Sequence, residues 1–429
     1  MLDIAGKNVI FEVLTDKKIA VYGGEVDNLK ISQKIAASKN IKNDDSPFVV
    51  MNLDTVIKKF NEFRQLLPRV KPFYAVKCNN DPILLKTLSL LGTGFDCASK
   101  TEIEDVMMNG LANIDNIIYA NPCKTKNFII HARDRGIKMM TFDHEEELVK
   151  IASVYKDAEL VIRIAVSDPT AQCPLNLKFG CDPVKDAPHL IDKAYSLGVK
   201  VIGVSFHVGS GCNDPTAFKM AIQYSRDLFD YGNKVGHEMT LLDIGGGFPG
   251  HDRSKTSFAT IASVIAPELD ELFPENSGVR IIAEPGRYFA ASPSSVTANV
   301  IAKSKVSASR ITNNVEDNGK DGYMYYINDG VYGSFNCILF DHEHCYGHPL
   351  LELEGEPTFP TTIWGPTCDS LDQVETLTYL RELQEGDWIY YPAMGAYTTA
   401  AASTFNGFCK PKTYYVMSES SWELLNKAI

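Results

Sequence analysis

Short apolar segments alternate with longer segments of helical spacing through the middle of the chain. The apolar segments are rich in β-branched and aromatic residues and predict eight strands, at residues 73–78, 94–97, 117–120, 139–142, 160–164, 201–208, 241–244 and 279–283. The segments between them predict helices, among them 82–91, 100–109, 145–155 and 216–235, several with Asp or Ser as a candidate N-cap. Eight such alternations favour an α/β fold with a (β/α)8 TIM-like barrel over an open sheet.

The pattern changes after residue 285, where strand-like segments are separated by polar turns. These segments lie at residues 296–301, 323–327, 361–364, 388–391 and 414–417 and predict a C-terminal all-β domain. Residues 304–322 are polar, and we expect a mobile loop there. The strand-like segment 9–22 is expected to pair with the β domain. We therefore predict an N-terminal segment (1–46) that packs with the β domain, a barrel (47–285) and a β domain (286–429).

The composition narrows the class of protein. A chain of 429 residues is longer than one hydrophobic core usually supports, which favours two domains. A formal net charge of -12 disfavours nucleic acid and anionic membrane surfaces as partners. The apolar stretches fall far short of the ~20 residues of a membrane span. The ten cysteines form no dense framework, which indicates reduced thiols and a cytoplasmic protein.

The segment 342–348 (HEHCYGH) has residue types that occur in zinc sites. Because a second cluster of ligands does not accompany it in the sequence, we interpret it as a polar loop. We therefore predict no metal site.

Lys77 is the only charged residue of the apolar run FYAVKC in the first predicted barrel strand. One interpretation is a strand-end lysine whose amine reaches water. The other is a desolvated lysine, whose pKa falls if no carboxylate pairs with it and which then serves as an amine nucleophile. Lys77 by itself does not decide between them.

Other polar residues also follow the predicted barrel strands. In a barrel, the carboxyl ends of the strands meet at one mouth, where ligands bind. A single Asp or His at such an end is structural about as often as functional, but a whole set predicts a ligand site. The set comprises Lys77, Asp96, Arg163, His207, Gly245, Gly246, Gly247, Glu284 and Arg287.

The glycine run in LLDIGGGFPG predicts a turn whose amides bind an anion, and the last strands of a barrel often hold phosphate. It fits neither GxGxxG nor a P-loop, which disfavours a dinucleotide or ATP. Phosphate, Lys77 and a carboxylate at Glu284 together match pyridoxal phosphate, with Arg287 and Ser210 as further phosphate contacts. His207 either stacks on the cofactor ring or is a satisfied core histidine.

Nine motifs resemble those of the eukaryotic-type ornithine decarboxylases, the barrel-plus-β-domain class of pyridoxal-phosphate enzymes. They extend over about residues 47–417 and read PFYAVKCN, GTGFDCASKTE, YANPCK, SFHVGSGC, LLDIGGGFPG, AEPGRY, NDGVYGSFNCILFDH, WGPTCDSLD and MGAYTTAAASTFNGF. The resemblance implies decarboxylation of L-ornithine to putrescine and carbon dioxide, the first step of polyamine synthesis.

The resemblance also implies a role for each matching residue. Asp341 and Asp369 resemble the pair that receives the far amine of ornithine, and Cys368 resembles the thiol that returns a proton to Cα. Lys77 resembles the lysine that binds the cofactor covalently, and His207 resembles the histidine that stacks on its ring. The other implied cofactor contacts are Asp96, Glu102, Arg163, Ser210, Gly247, Glu284, Arg287 and Tyr397.

In that family Cys368 and Asp369 reach the cofactor of a partner subunit, so the resemblance implies a homodimer with shared sites. It also raises an antizyme-like regulatory protein as a partner. One departure is Phe340, which stands where the family usually has tyrosine before Asp341. We expect a modest effect on substrate binding.

Three alternative functions remain. The first is a decarboxylase for lysine or arginine. Related diaminopimelate and some arginine decarboxylases have glutamate after the cysteine, so Cys368 followed by Asp369 favours ornithine as the substrate. A catalytically inactive antizyme-inhibitor-like regulator shares this fold but loses several of these positions. A small barrel that only binds pyridoxal phosphate would lack the β domain.

Overall fold

The computed structural model describes residues 9–166 and 178–428 and separates into two compact units. The barrel unit is Lys58–Phe289, and the β unit combines Met1–Ile57 with Ala290–Ile429. Residues 1–8 of the predicted N-terminal segment lie outside the described residues.

The β unit begins with a hairpin of β1 (Val9–Leu14) and β2 (Lys17–Tyr22), followed by α1 (Asn28–Ile41) and β3 (Phe48–Asn52). Helix α1 begins after Asp27, whose side chain accepts hydrogen bonds from the first backbone amides of the helix. β2 and β3 both pair in parallel with a strand from the end of the chain, so the N-terminal segment belongs to the β sheet as predicted.

The barrel unit contains eight parallel strands that close into a barrel in chain order. They are β4 (Val70–Ala75), β5 (Gly94–Cys97), β6 (Ile117–Tyr119), β7 (Met139–Phe142), β8 (Glu159–Ile164), β9 (Lys200–Phe206), β10 (Leu241–Asp243) and β11 (Arg280–Ala283). The last strand, β11, pairs with the first, β4, which closes the barrel. The eight predicted strands and the predicted barrel are confirmed.

Helices accompany these strands along the chain. They are α2 (Leu53–Leu66), α3 (Pro82–Leu91), α4 (Lys100–Met108), α5 (Lys126–Asp134), α6 (Glu145–Val154), α7 (Ala187–Leu197), α8 (Thr216–Val235), α9 (Phe258–Leu272) and α10 (Arg287–Ala290). Helix α3 shows the local signals: Asp81 caps its first amides, Pro82 occupies the first turn, and Gly92 ends it with a left-handed φ of 94°. Throughout the described ranges, every helix is too short or too polar to cross a membrane.

The barrel interior is filled by large apolar side chains from different strands. Phe73, Ile118, Val161, Leu241 and Ile282 form one buried cluster. A barrel filled in this way is a packed core rather than a pore, so ligand chemistry is confined to the ends of the strands.

The rest of the β unit completes a mixed ten-stranded sheet. Its strands are β12 (Ser294–Ser307), β13 (Asp321–Ile327), β14 (His348–Pro349), β15 (Thr358–Trp364), β16 (Gln373–Arg381), β17 (Trp388–Tyr391) and β18 (Lys412–Ser418), and its helices are α11 (Ser309–Thr312), α12 (Cys337–Phe340) and α13 (Glu419–Asn426). The main order is β1-β2-β18-β3-β12-β13-β15-β16, and β17 pairs with β12 and β14. The predicted second domain rich in β structure is confirmed.

The predicted start of the barrel at residue 47 is wrong, because β3 belongs to the sheet of the β unit. Its five residues are all buried, and they pair with β18 on one side and β12 on the other. The barrel unit extends to Phe289 rather than ending at residue 285.

The predicted mobile loop at 304–322 is also wrong. β12 continues to Ser307, and β13 begins at Asp321, which pairs with Ser307 across the hairpin. Polar contacts order the turn: Lys305 Nζ lies 2.7 Å from Asp321 Oδ2, and Ser307 Oγ accepts a hydrogen bond from Gly319 N at 3.1 Å. The polar composition therefore reflects an exposed antiparallel hairpin.

Candidate active site

Lys77 and Asp96 meet at the mouth of the barrel. β4 ends at Ala75, so Lys77 lies on a single 3-10 turn (Val76–Cys78) rather than within the strand that the sequence predicted. Its Nζ is 3.1 Å from Asp96 Oδ2, and the side chain of Lys77 is 44% exposed while that of Asp96 is 1% exposed. The amine is thus paired with a buried carboxylate, which orients it.

Two more predicted residues extend this side of the mouth. Arg163 lies in β8, and its guanidinium carbon is 5.5 Å from the centre of the Phe179 ring. Glu102 lies in the first turn of α4 and accepts a hydrogen bond from Ala98 N. Burial raises the pKa of the Glu102 carboxyl. Arg163 lies near the carboxyl end of its strand, as the barrel pattern predicted, and Glu102, which only the resemblance implied, lies at the start of the helix that follows β5.

The glycine run after β10 packs tightly against His207. Gly245 and Gly247 have left-handed φ values of 64° and 105°. A Cβ atom at Gly246 would lie 2.7 Å from Glu284 O and 2.9 Å from His207 Nε2. The run is therefore a turn that only glycine fits, closed against the histidine.

His207 follows β9, and its ring is held in one orientation. Nδ1 accepts a hydrogen bond from Gly209 N at 3.1 Å. Burial lowers the pKa of the imidazole well below its usual value, and the positive charges of Arg163, Lys77 and Arg287 lower it further. The ring is therefore neutral near pH 7, with its proton on Nε2.

Ser210 and Arg287 form a polar pair beside the glycine run. Nε and Nη2 of Arg287 donate to Ser210 Oγ at 3.0 and 2.9 Å, and Arg287 is only 6% exposed. Cys212 N donates to Gly247 O at 3.0 Å, which ties the serine loop to the glycine turn. A buried guanidinium, a hydroxyl and a glycine turn are the groups that bind a phosphate.

Glu284 directly follows β11, and its backbone N donates to Gly245 O at 2.6 Å. Its Oε1 is buried and has no hydrogen-bond partner among the described residues. Burial raises the pKa of this carboxyl well above its usual value, and the nearby carboxylates of Asp243 and Asp96 act in the same direction. Asp243, which is fully buried, was missed by the sequence analysis although a charged residue inside LLDI was visible there.

In the β unit, Cys368 and Asp369 lie on the loop between β15 and β16. Cys368 is exposed. Asp369 accepts a hydrogen bond from Tyr332 Oη and another from Leu371 N at 2.9 Å, and these bonds lower the pKa of its carboxyl. Tyr332 was not predicted, and the motif NDGVYGSF offered no signal beyond its position.

Asp372 connects this loop to the loop that follows β13. Its Oδ1 accepts from Val331 N at 2.8 Å and its Oδ2 accepts from Thr367 N at 2.9 Å, and the residue is 1% exposed. A Cβ atom at Gly330 or at Gly365 would collide with this carboxylate. Asp372 thus holds the loop that carries Cys368 and was missed because its motif gave no hint of its burial.

Three further predicted residues lie elsewhere in the β unit. Asp341 follows α12 and is buried, whereas the neighbouring Phe340 is 75% exposed. Tyr397 lies after β17 with a left-handed φ of 54°, which is rare for a bulky residue and indicates local strain.

The segment 342–348 forms no recognisable metal site. Its Cys345 is buried, with Sγ 3.8 Å from Cys337 Sγ. No group of three or more potential ligands occurs within residues 9–166 and 178–428.

The barrel mouth has features that fit pyridoxal phosphate. The buried Oε1 of Glu284 without a donor suits a protonated ring nitrogen, and the Arg287–Ser210 pair beside the glycine turn suits a phosphate. Lys77 supplies an oriented amine. These residues all belong to the barrel unit.

Comparisons with known proteins identify the family. The family described as "Pyridoxal-dependent decarboxylase, pyridoxal binding domain" matches residues 53–291. An ornithine decarboxylase of Panagrellus redivivus is 56% identical, over 96% of this chain and 95% of the relative. Antizyme inhibitor 2 of Xenopus laevis is 49% identical, over 89% of this chain and 83% of the relative.

A solved structure shows the same fold. The arginine decarboxylase of Paramecium bursaria Chlorella virus, bound to agmatine, has a TM-score of 0.83 and 35% identity, over 90% of this chain and all of that one. The family match covers more than half of the chain, and the relatives extend over nearly all of it. The chain therefore belongs to the ornithine decarboxylase family of pyridoxal-dependent decarboxylases.

Proposed function

We propose that this protein decarboxylates L-ornithine to putrescine and carbon dioxide with pyridoxal phosphate. The observation that carries the proposal is the barrel mouth, where an amine held by a buried carboxylate lies with a carboxyl that lacks a donor and with a buried arginine–serine pair. The ornithine decarboxylase of P. redivivus, 56% identical, supports the substrate.

Each residue of the barrel mouth has a proposed task toward the cofactor. Lys77 would bind its carbonyl carbon, and Glu284 would face the ring nitrogen. His207 would stack on the ring, and its neutral state avoids adding a second positive charge there. The phosphate contacts at the mouth would be Ser210, Gly245, Gly246, Gly247 and Arg287, with Asp96, Glu102 and Arg163 as polar neighbours. Tyr397 of the β unit is a further proposed phosphate contact.

Pyridoxal phosphate supplies the electron sink that accepts the electron pair left on Cα when carbon dioxide departs. The protein must then return a proton to Cα, and Cys368 is the proposed donor through its Sγ–H. Asp341 and Asp369 would bind the far amine of ornithine, because a carboxylate forms a charge-assisted hydrogen bond with an ammonium group. The low pKa of Asp369 keeps it ionised for this purpose.

We propose a homodimer in which Cys368 and Asp369 of one copy serve the barrel of the other copy. The exposure of Cys368 and the apolar surface near it support this arrangement. Phe405 stacks on Tyr332 with ring centres 4.4 Å apart, yet Phe405 is 47% exposed and Leu371 is 61% exposed. Clustered exposed apolar residues typically mark an interface.

We also propose a cytoplasmic location and an antizyme-like regulatory partner. Nine free cysteines among the described residues support a reducing compartment. The 49% identity to an antizyme inhibitor supports the regulatory partner, and it equally supports an inactive regulator as a second candidate function. Two measurements on the purified chain separate these possibilities: binding of an antizyme-like protein and turnover of ornithine. Binding together with turnover would support a regulated enzyme, whereas binding without turnover would support an inactive regulator.

The test of the proposed function is release of carbon dioxide from ornithine, lysine and arginine by the purified protein with pyridoxal phosphate. We expect kcat/KM to be highest for ornithine. Preference for lysine would contradict the roles of Asp341 and Asp369, and protein that cannot be reconstituted with the cofactor would overturn the enzymatic function.

A further inference from the structure

Two buried cysteines of the β unit have sulfur atoms in contact, and the proposed mechanism gives neither of them a task. Cys337 is the first residue of α12, and Cys345 lies in the loop that precedes β14. Their Sγ atoms are 3.8 Å apart, and the residues are 1% and 7% exposed. Two groups held this close react with each other far more readily than separate molecules do.

A local turn brings the two cysteines together. Cys337 O accepts hydrogen bonds from Asp341 N at 3.0 Å and from Glu343 N at 3.1 Å. His342, between these two donors, has a left-handed φ of 52°, which is uncommon for a residue other than glycine and reverses the chain here. The contact between the two thiols therefore follows from the backbone of the segment 337–345.

The two thiols lie in the apolar core of the β unit, together with Met394. Cys345 Sγ is 3.6 Å from Met394 Sδ, and Cys337 Sγ is 3.9 Å from Ser334 O. The hydrogen bond with Cys337 raises the pKa of the Cys345 thiol, and burial raises it further. Cys345 therefore rests as a protonated thiol, and it reacts with an oxidant only in the small fraction of molecules in which it is ionised.

We propose that Cys337 and Cys345 form a reversible disulfide when a peroxide oxidises the protein, and that this disulfide weakens the binding of ornithine. The bond closes a ring over residues 337–345, and Asp341 is the middle residue of that ring. Because an S–S bond is about 2.05 Å long, the two sulfur atoms must approach by roughly 1.8 Å, which displaces the segment that carries Asp341. The effect on ornithine rests on the proposed function, in which Asp341 binds the far amine.

The reaction balances with hydrogen peroxide as its co-reactant. The thiolate of Cys345 attacks one peroxide oxygen, the O–O bond breaks, and the departing hydroxide takes up the thiol proton as water, which leaves a sulfenic acid on Cys345. Cys337 Sγ then attacks the sulfur of that sulfenic acid, the S–O bond breaks, and the hydroxyl group departs as a second water with the proton of Cys337. Two electrons pass from the sulfur atoms to the peroxide, and a dithiol reductant returns them.

The first test detects the disulfide in the full chain with its cofactor bound. Three exposed cysteines are first replaced, so that they neither consume the oxidant nor exchange with the pair: Cys123→Ala, Cys368→Ala and Cys409→Ala. This triple variant is treated with hydrogen peroxide, its remaining thiols are alkylated, and it is cleaved by a protease specific for acidic residues. If the triple variant does not fold, the wild-type chain is used, since the digest still identifies the cross-link.

Cleavage at Asp341 or Glu343 places the two cysteines on separate peptides, so mass spectrometry can identify a cross-link between them. We expect the cross-linked peptides after peroxide treatment, and we expect a dithiol reductant to separate them again. The matched control is Cys345→Ala in the same background, which should leave Cys337 open to alkylation. Absence of the cross-link between Cys337 and Cys345 after peroxide treatment would overturn the proposal.

The second test measures the Kd for putrescine from the absorption of the bound cofactor, in the triple variant before and after oxidation. Oxidation should raise Kd about 3–30-fold, which corresponds to partial loss of one charge-assisted hydrogen bond, and in Cys345→Ala the same treatment should change Kd less than about 2-fold. A cross-link that leaves Kd unchanged, or an equal rise in Cys345→Ala, would overturn the proposal. Wild-type protein that releases no carbon dioxide from ornithine would refute the proposed function, whereas the test for the cross-link does not depend on that function.

Discussion

The barrel mouth and the loops of the β unit hold their functional side chains in opposite ways. At the mouth, charged side chains are held by partners within the barrel: the buried Asp96 pairs with Lys77, and the buried Arg287 donates to Ser210. In the β unit, Cys368 is exposed on a loop that the buried Asp372 holds through Thr367 N, and Phe340, at the end of α12, is 75% exposed.

This difference indicates a division of tasks. A preorganised set of buried charges suits a cofactor that stays bound, because its groups need no rearrangement. Exposed side chains on supported loops suit a substrate and a second subunit, which complete the environment only when they bind. Variants of the mouth should therefore lose the cofactor, whereas variants of the loops should keep it and lose turnover.

The largest effect is expected for Lys77→Ala. Loss of the amine should abolish the absorption band of the bound cofactor and lower kcat by a factor on the order of 10⁴ or more. The control is Lys71→Ala at the start of β4, the strand that precedes Lys77; Lys71 Nζ donates to Asn116 Oδ1 at 2.8 Å. Lys71→Ala should keep the band, and a band in Lys77→Ala would refute the covalent role.

Cys368→Ala should lower the rate of putrescine formation by about 10²–10⁴-fold, the range for loss of a general acid, while the cofactor band persists. Cys409→Ala, at another exposed cysteine of the β unit, is the matched control. Loss of the cofactor absorption band in Cys368→Ala would contradict the division of tasks, because it would show that a loop of the β unit is also needed for cofactor binding.

Mixing inactive Lys77→Ala with inactive Cys368→Ala tests the shared site. If the two copies exchange, half of the dimers are mixed and each has one intact site, so about a quarter of wild-type activity should return. Absence of recovery after subunit exchange has been verified would contradict sites shared between copies.

A buried carboxyl group of the β unit should also make the stability of the fold depend on pH. Burial raises the pKa of Asp329 in the β unit to about 6, and its oxygen Oδ1 accepts from Gly330 N and Ser334 N. A carboxyl with a raised pKa stabilises the fold at low pH, and this contribution is lost as the pH rises through the folded pKa. Relative to Asp329→Asn, the free energy of unfolding of the wild type should fall by up to about 3 kcal/mol between about pH 4 and about pH 7.

Chemical denaturation at several pH values measures this change. The matched control is Asp317→Asn, since Lys320 lowers the pKa of the half-buried Asp317, and its small contribution to stability should appear as the pH rises rather than vanish. A difference between wild type and Asp329→Asn that does not vary with pH would show that Asp329 is not isolated from solvent.

Asp369→Asn should raise the KM for ornithine about 10–100-fold, which corresponds to a charge-assisted hydrogen bond of ~1.5–3 kcal/mol. The cofactor band should stay unchanged. Asp321→Asn removes a carboxylate from the exposed hairpin of the same unit and should leave KM as it is. Equal KM values for Asp369→Asn and the wild type would place the substrate amine elsewhere.

The smallest effect is expected for Phe340→Tyr. A new hydroxyl beside Asp341 should lower the KM for ornithine about 2–10-fold, the contribution of one neutral hydrogen bond, with kcat nearly unchanged. Steady-state kinetics of the variant and the wild type measure it. Unchanged affinity would remove any role for this position.

Most of the barrel was predictable because each strand and helix carries a local signal. Helix α3, between Asp81 and Gly92, was predicted with its observed bounds, and so was α8 (Thr216–Val235). β3 was missed as a strand of the sheet, since a fully buried segment has no alternation that shows which sheet it joins. The hairpin at 304–322 was missed because pairing between strands, rather than apolar content, orders it.

The sequence by itself determined the residue types of the site and their order at the strand ends, because a parallel barrel brings all carboxyl ends of its strands to one mouth. Lys77 and Glu284 were found in this way. Only the tertiary structure decided their surroundings: Lys77 is paired with Asp96 on β5, and Glu284 is buried where the charge of the Asp243 carboxyl helps to raise its pKa. Burial and the approach of two carboxyl groups depend on neighbouring strands far apart in sequence, and no local pattern records them.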